Sequence, residues 1–258
     1  MSGSYWNRRA KRWGHTGWGD LSRYVFDQKM RMMSLSDLLA RAELRPGSAC
    51  LDFGCGTGDA AFLLHNCGMR VIGFDISSEV LKIAQARDKA AEIAFTDDEG
   101  RAFGRTYDLV LCITVLQHIV DDEQFIETLR RIYGALSCGG TLLILDTLSI
   151  ELTSNEYSKI RGMKNVIQYA EQAGFEVREM INFPHPDFNP SLSYKKYSAD
   201  KVVRAIKTLS WGAPKSVLSF FAWILDGRAD RYLTDNVGEA VNAGPMKWLV
   251  LAKPGSNG

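Results

Sequence analysis

Short apolar runs alternate with longer amphipathic segments along most of the chain. Runs of this length between helical segments are typical of buried strands. In the longer segment 122–136 apolar side chains recur at helical spacing and predict an amphipathic helix, and segment 79–88 shows the same pattern. The apolar runs predict seven strands, at 49–53, 70–74, 93–95, 108–113, 141–145, 175–181 and 247–252.

Strands that alternate with helices need crossover connections between parallel neighbours. The order of elements therefore predicts an α/β fold, a doubly wound and mainly parallel seven-stranded sheet with helices on both faces. Two regions fall outside the alternation, residues 1–46 and the aromatic-rich residues 184–246. They predict an N-terminal helical segment and a helical insertion before the last strand, around an α/β core at 47–183 and a closing strand and tail at 247–258.

Composition places the chain among ordinary globular proteins. Its 258 residues are 46% hydrophobic and 24% charged, which argues against disordered, collagenous and disulfide-scaffold classes. No apolar run approaches the roughly 20 residues of a membrane span, and residues 1–18 lack the apolar stretch of a signal peptide. Five cysteines without a CxxC spacing favour reduced thiols. These features predict a cytoplasmic protein without a transmembrane segment.

A glycine-rich turn follows the first predicted strand. Gly54, Gly56 and Gly58 stand at alternate positions after Asp52, and a helix is expected to begin near Asp59. Alternating glycines let the backbone bend sharply and bring its N–H groups against a ligand, and the helix N-terminus favours negative charge. The turn therefore predicts a site for an anionic group.

A carboxylate, Asp75, stands at the tip of the second predicted strand. At this position an acidic side chain can accept both hydroxyls of a ribose. The dinucleotide fingerprint needs a glycine three places after Gly56, where this chain has Asp59, and this argues against NAD. A phosphate-binding P-loop is excluded because no Lys followed by Ser or Thr comes after the glycines.

These landmarks resemble the class I S-adenosylmethionine-dependent methyltransferases, particularly the small-molecule branch that includes ubiquinone-pathway and sugar methyltransferases. The resemblance covers about 44–183 and the strand 247–252. Besides the glycine-rich turn and Asp75, it rests on Tyr-Asp-Leu-Val-Leu at 107–111 and Leu-Ser-Cys-Gly-Gly-Thr at 136–141.

The resemblance implies S-adenosyl-L-methionine as the cofactor. The glycine-rich turn is then expected to hold its carboxylate, acids such as Asp52 its amine, and Asp75 its ribose. Either Asp97 or Asp98 is expected to face the adenine amino group, and the sequence leaves the choice open. The cofactor-binding residues so implied are Asp52, Gly54, Cys55, Gly56, Gly58, Asp75, Ile76, Asp97, Asp98 and Ile113.

The acceptor side depends on the segment 113–119, which in this superfamily borders the methyl group. His118 is therefore a candidate general base, with a structural role as the alternative. Asp146 ends the fifth predicted strand at the same edge of the sheet, and the two together look like the His and Asp of some sugar O-methyltransferases. The run 5–20 resembles a lid over the cofactor, which makes residues 1–46 a lid segment and His15 a weaker catalytic candidate.

Two segments are strongly basic. Residues 1–31 hold seven basic and two acidic side chains, and residues 195–215 hold six and one. They favour an anionic acceptor, phosphate-bearing or lipid-linked, with solvated helix faces as the alternative. Nucleic acid is not expected, because the Asn/Asp-Pro-Pro-aromatic motif of base-amino methyltransferases is missing after the fourth strand. The seven basic residues are Arg8, Arg9, Lys11, Arg12, Arg23, Lys29 and Arg31.

The run 217–225 is almost entirely apolar and follows the second basic segment. It is too short to span a bilayer. Buried core is the favoured interpretation, and the alternatives are a contact in a homodimer or one wall of a pocket for an apolar acceptor at a membrane surface.

The sequence as a whole predicts methyl transfer from S-adenosylmethionine to a small or carrier-linked metabolite. O-methylation of a hydroxyl on an anionic or sugar-type acceptor is favoured, and the scheme requires no metal. Two alternatives stay open at this point, a non-catalytic S-adenosylmethionine-binding partner subunit and a nucleic-acid methyltransferase.

Overall fold

The computed structural model describes residues 3–42, 44–148, 153–183, 190–234 and 246–255. Its strands are β1 (Ala49–Phe53), β2 (Arg70–Phe74), β3 (Ala94–Thr96), β4 (Tyr107–Ile113), β5 (Leu136–Thr147), β6 (Thr153–Ser154), β7 (Lys159–Ile160), β8 (Glu176–Asn182) and β9 (Met246–Ala252). Its helices are α1 (Gly3–Trp13), α2 (Leu21–Arg41), α3 (Asp59–Asn66), α4 (Ser78–Arg87), α5 (Glu99–Phe103), α6 (Asp122–Ala135), α7 (Met163–Gln172), α8 (Pro190–Ala199), α9 (Lys201–Leu209) and α10 (Lys215–Thr234), with a 3₁₀ turn at Leu116–His118.

Seven strands form one sheet in the order β3-β2-β1-β4-β5-β9-β8. The first five are parallel to one another, and β9 is antiparallel to both β5 and β8. Each sequence-predicted strand is present with its ends shifted by a few residues at most, except β5, which begins at Leu136, five residues early. The doubly wound, mainly parallel fold is confirmed.

Alternate strand residues bury against opposite layers of helices. In β4, Leu109 and Leu111 pack in the layer that contains α2 and α3, whereas Val110 and Cys112 pack with α6 and α7. This two-residue alternation is the geometry of a strand covered on both faces. It explains why the parallel strands read as continuous apolar runs.

The N-terminal helices and the helical insertion are both present. Helix α2 packs against the sheet and against α10, where the Lys29 Nζ lies 2.8 Å from Asp226 Oδ2 and 2.7 Å from Asp230 Oδ2. Tyr197 of α8 is fully buried and donates to the Ser22 carbonyl at 3.3 Å. The predicted junctions of the insertion with the core, 184–189 and 235–245, lie outside the described residues.

The interpretation of the run 217–225 as buried core is wrong for much of its length. Only Leu225 is fully buried, whereas Val217, Phe220 and Trp223 are exposed. The run lies on a single α-helix with one side against α2, so its remaining side faces outward. Among the described helices, none combines the length and apolarity needed to cross a membrane.

Candidate active site

A cavity of about 490 Å³ opens at the carboxyl ends of β1, β2 and β4. Strand β1 lies between β2 and β4, so the chain changes direction across the sheet at this point. Such switch points are where open α/β sheets bind ligands. Helix α1, the loop 16–18 and helix α2 contribute side chains to its lining, and their role as a lid stays a prediction.

The glycine-rich turn forms one wall of this cavity. Gly54 and Cys55 donate their N–H groups to the Phe74 carbonyl at 2.7 and 2.9 Å, which fixes the turn to the end of β2. Gly54 has φ of +80°, and a Cβ at that position would lie 2.2 Å from the Val115 side chain. Only glycine fits there. Gly54, Cys55 and Gly56 line the cavity, while Gly58 caps α3 just behind it.

Two buried carboxylates face the same cavity. Asp75 accepts from the Gly56 N–H at 3.0 Å and from the Ser77 N–H at 2.8 Å, so the turn and the tip of β2 are joined through this side chain. Asp52 Oδ2 is buried and has no hydrogen-bond partner among the described residues. Burial and the neighbouring Asp75 raise the pKa of Asp52 to about 7, and burial also raises the pKa of Asp75. A positively charged hydrogen-bond donor would stabilise this pair of carboxylates.

The other implied cofactor residues divide into two groups. Ile76 and Ile113 line the cavity, with Ile76 42% exposed. Asp97 and Asp98 do not line it, and Asp98 is the N-cap of α5, accepting from the Gly100 N–H at 2.8 Å. The cap uses one carboxylate oxygen of Asp98. The assignment of either acid to the adenine amino group stays a prediction.

His118 lies at the end of the 3₁₀ turn and lines the cavity. Its Nδ1 is 2.8 Å from the Tyr157 carbonyl, and its ring packs edge-on against Trp6 of α1, with 4.8 Å between the ring centroids. Because a carbonyl can only accept, Nδ1 carries the proton and Nε2 carries the lone pair of the neutral ring. Burial lowers the pKa of His118, so the ring is neutral at pH 7.

Asp146, one residue before the end of β5, does not line this cavity, although its hydrogen-bond partner Gln117 does. Its two oxygens accept from the Gln117 N–H and the Thr147 N–H, each at 2.9 Å. Burial raises the pKa of Asp146 to about 7. The two hydrogen bonds and the charges of Arg31 and Arg161 act in the opposite direction, because they stabilise the carboxylate. The contacts fit a side chain that holds the 3₁₀ turn, and with it His118, in place.

The weaker candidate, His15, is also outside the cavity lining. Its ring stacks on Tyr24 at a centroid distance of 3.6 Å, and burial lowers its pKa to about 4. The Tyr24 hydroxyl lies 3.2 Å from Thr57 Oγ1, so this stack supports the glycine-rich turn from the side of α2.

Of the seven basic residues in 1–31, Arg9 and Arg31 line the cavity. Arg9 donates to the carbonyls of Thr16 and Gly17 and is occupied in folding the loop before α2. Arg31 donates to Thr114 Oγ1 at 3.3 Å and to Gln28 Oε1 at 3.5 Å, and forms no ion pair within 4.0 Å with a described residue. Its hydrogen-bond partners are neutral, and the charges of Asp27 and Asp146 act on it only from beyond ion-pair distance. Its N–H groups are therefore not held by a carboxylate and can donate to an anion.

Two features of the site have no signal in the sequence pattern. Thr114 adopts φ of +54°, a conformation that a β-branched residue rarely takes, and its hydroxyl meets Arg31. The short hairpin β6–β7 brings the Tyr157 carbonyl to His118, while the Tyr157 ring stacks on Tyr5 at 4.5 Å between centroids. Strands of two residues are too short for the apolar alternation that predicts a strand.

Metal ligation has no candidate in the described ranges, where no group of three or more His, Cys, Asp or Glu side chains is placed to hold a metal ion.

The core of the chain matches a family model described as a methyltransferase domain, over residues 51–142. A ubiquinone biosynthesis O-methyltransferase from Thiobacillus denitrificans is 23% identical over 207 residues, which span 72% of this chain and 88% of that protein. A trans-aconitate 2-methyltransferase from Paracidovorax citrulli is 37% identical over 112 residues, which span 42% of each chain. Curated relatives that follow the first are matched over 40% to 54% of their own length.

Among solved structures, phosphoethanolamine N-methyltransferase 2 of Haemonchus contortus in complex with S-adenosyl-L-methionine is similar, with a TM-score of 0.57. It is 20% identical, and the match covers 86% of this chain and 52% of that one. At this level of identity the likeness concerns the fold.

Proposed function

We propose that this chain, which belongs to the class I S-adenosylmethionine-dependent methyltransferases, methylates a hydroxyl oxygen of a small anionic acceptor. The observation that carries the proposal is His118, whose unprotonated Nε2 belongs to a ring that lines the same cavity as the glycine-rich turn. The similarity to an O-methyltransferase over most of that protein's length supports oxygen as the methylated atom. The comparisons do not favour the partner-subunit or nucleic-acid alternatives.

The cavity fits the cofactor on its own chemistry. Asp52 Oδ2, buried without a partner among the described residues, suits an ammonium group, and the oxygens of Asp75 retain lone pairs for two ribose hydroxyls. The exposed Ile76 gives an apolar surface beside Asp75 for a flat base. S-adenosylmethionine, when bound, supplies a methyl group on a positively charged sulfur, which is already an activated donor.

The protein is left with two tasks, alignment of the acceptor and removal of its proton. Holding two reactants in line can lower a barrier by about 7–11 kcal/mol. We also assign a lid role to α1 and the loop 16–18, which contribute to the lining of the cavity and would exclude water from it when the ligands are bound. A base in reach of the hydroxyl adds roughly a hundredfold to ten-thousandfold. We assign the base to Nε2 of His118, and a positioning role to Asp146.

Replacing Asp75 with alanine should weaken S-adenosylmethionine binding more than tenfold. The lost ribose contact is charge-assisted and is worth about 1.5–3 kcal/mol. Isothermal titration calorimetry measures the change, with thermal unfolding as a check on the turn that Asp75 also supports. Asp37→Ala, an exposed acid on α2, is the matched control. Equal affinities in the two variants would remove the ribose assignment.

The anionic character of the acceptor is tested first with a panel of hydroxylated carboxylic acids and phosphate monoesters. Each acid is offered beside its uncharged amide or ester, and methyl transfer from labelled cofactor is counted. We expect turnover of charged members and at least about tenfold less with their uncharged partners, since one charge-assisted contact is lost. Turnover that ignores the charge argues for a neutral acceptor.

Arg31 is the expected anchor of the acceptor's acid group. Arg31→Met should raise the acceptor KM roughly tenfold to hundredfold, because a buried charge-assisted pair is worth about 1.5–3 kcal/mol. Arg41→Met, at the exposed end of the same helix, is the control. If cofactor affinity falls instead while the acceptor KM is unchanged, Arg31 holds the carboxylate of the cofactor and the acceptor's anchor lies elsewhere.

A further inference from the structure

The helical insertion carries an exposed apolar surface where α9 turns into α10. Five side chains form it, and we refer to them as the aromatic tip. Trp211 is 82% exposed, Trp223 72%, Leu209 62% and Phe220 57%. The members of the aromatic tip are Leu209, Trp211, Val217, Phe220 and Trp223.

The tip is separate from the surface that holds the insertion in place. Leu225, Ala229 and Leu233 of α10 are buried in the layer that contains α2, whereas Phe220 and Trp223 stack on each other outside it at a centroid distance of 6.1 Å. Leu209 and Trp211 lie in and beside the turn between the two helices. Large exposed apolar side chains that recur over so short a stretch of the chain, 209–223, indicate a contact surface.

The segment that contains the tip is basic. Residues 201–225 contain four basic side chains and no acidic one, and the two acids that bracket them, Asp200 and Asp226, are in ion pairs with Arg228 and Lys29. One of the four, Lys207, is paired with Asp20. Lys201 and Arg204 are exposed on α9, while Val203 and Ile206 of the same helix are buried. On α9, Lys201, Arg204 and the tip residue Leu209 are therefore all exposed, on the part of the helix that is not buried through Val203 and Ile206.

This charge decides between the possible occupants of the surface. A two-fold contact with a second copy of the chain would place the same basic segment opposite itself, and like charges at close range repel. An anionic lipid surface instead attracts Lys and Arg, and accepts Trp and Phe at the depth of the headgroups. We infer that the aromatic tip docks the protein on anionic membranes, with Lys201 and Arg204 supplying the electrostatic attraction.

The inference is independent of the proposed function, so its test uses no acceptor. The full chain is sedimented with vesicles of phosphatidylcholine alone, and with vesicles of equal parts phosphatidylcholine and phosphatidylglycerol. We expect binding to the anionic vesicles, at least about tenfold weaker binding to the neutral ones, and release at high salt. Trp211→Ser with Trp223→Ser should lower binding to anionic vesicles at least about tenfold, because the apolar insertion is lost.

Two matched charge reversals distinguish the effect of charge near the tip from the effect of the net charge of the chain. Lys201→Glu with Arg204→Glu should reduce vesicle binding at least about tenfold. Lys89→Glu with Arg105→Glu makes the same change of charge at exposed positions away from the insertion and should leave binding nearly unchanged. All these side chains are exposed, so unfolding temperatures should agree with that of the unaltered chain.

Three outcomes overturn the inference. The first is no binding of the unaltered chain to anionic vesicles, and the second is equal binding by the tryptophan variant. The third is a dimer in light scattering that the two tryptophan substitutions dissociate, which would assign the tip to a contact between copies of the chain.

Discussion

Gly54→Ala should lower the unfolding temperature by roughly 5–15 °C and weaken S-adenosylmethionine binding at least about tenfold. An alanine at φ of +80° costs about 1–2 kcal/mol, and its Cβ would stand 2.2 Å from Val115 Cγ2, an overlap that costs about 1–3 kcal/mol more. If the turn relieves the overlap by moving away from Val115, the Gly54 and Cys55 N–H bonds to the Phe74 carbonyl are strained and the residues of the turn that line the cavity are displaced. Differential scanning fluorimetry and calorimetry measure the two effects.

The matched experiment removes the obstacle and keeps the strained backbone. Val115→Ala in the Gly54→Ala background deletes both methyl groups that the new Cβ meets. The double variant should reverse part of the decrease in unfolding temperature. The decrease that remains measures the cost of an alanine in the left-handed conformation. A double variant no more stable than Gly54→Ala would show that the overlap is relieved elsewhere and that the close packing of the turn on Val115 does not matter.

The fold could be predicted from sequence because its signals are local and repeated. The parallel strands are buried on both faces, so each appears as a short apolar run between helices. The end of β5 shows the limit of the method. Leu136 continues the helical spacing of α6 in the sequence, yet the structure places it at the start of a strand, beside Tyr107 of β4. Pairing with a distant strand decided the outcome there, and no local pattern records it.

The placement of the glycine-rich turn beside Asp75 was also predictable from sequence, whereas the contacts of Arg31 and His118 were not. The glycines and Asp75 sit within one strand–helix–strand unit, where spacing along the chain fixes position in space. Arg31 meets Thr114 through the packing of α2, and His118 meets the Tyr157 carbonyl through the hairpin β6–β7. Three elements distant in sequence cannot be aligned by counting residues.

The run 217–225 was misread for a different physical reason. Apolar composition predicts burial only when the neighbouring elements can cover all of the apolar side chains. Helix α10 has more of them than its contact with α2 can cover. The exposed remainder, Phe220 and Trp223, is the evidence for a second contact surface.

His118→Ala should lower kcat by a hundredfold or more while leaving cofactor affinity nearly intact. The base acts on a proton that moves in the transition state, so its loss lowers kcat more than it raises KM. Burial holds the pKa of His118 below its usual 6.5, so the ring is neutral at pH 7 and becomes protonated only in more acidic solution. Activity of the unaltered chain should therefore fall as the pH is lowered through the depressed pKa of His118, on the acid side of the usual histidine value, and this acid limb should be absent from the variant.

Asp146→Asn distinguishes a base from the residue that positions it. An amide at 146 keeps one acceptor oxygen and turns an NH₂ group toward an N–H that Asp146 now serves, either that of Gln117 or that of Thr147. We expect kcat to fall less than in His118→Ala, with the acid limb retained because His118 still titrates. If His118→Ala folds with an unchanged unfolding temperature and keeps near-full turnover and the same acid limb, the base is not His118. A limb lost only in Asp146→Asn would make Asp146, whose burial raises its pKa to about 7, the group that titrates.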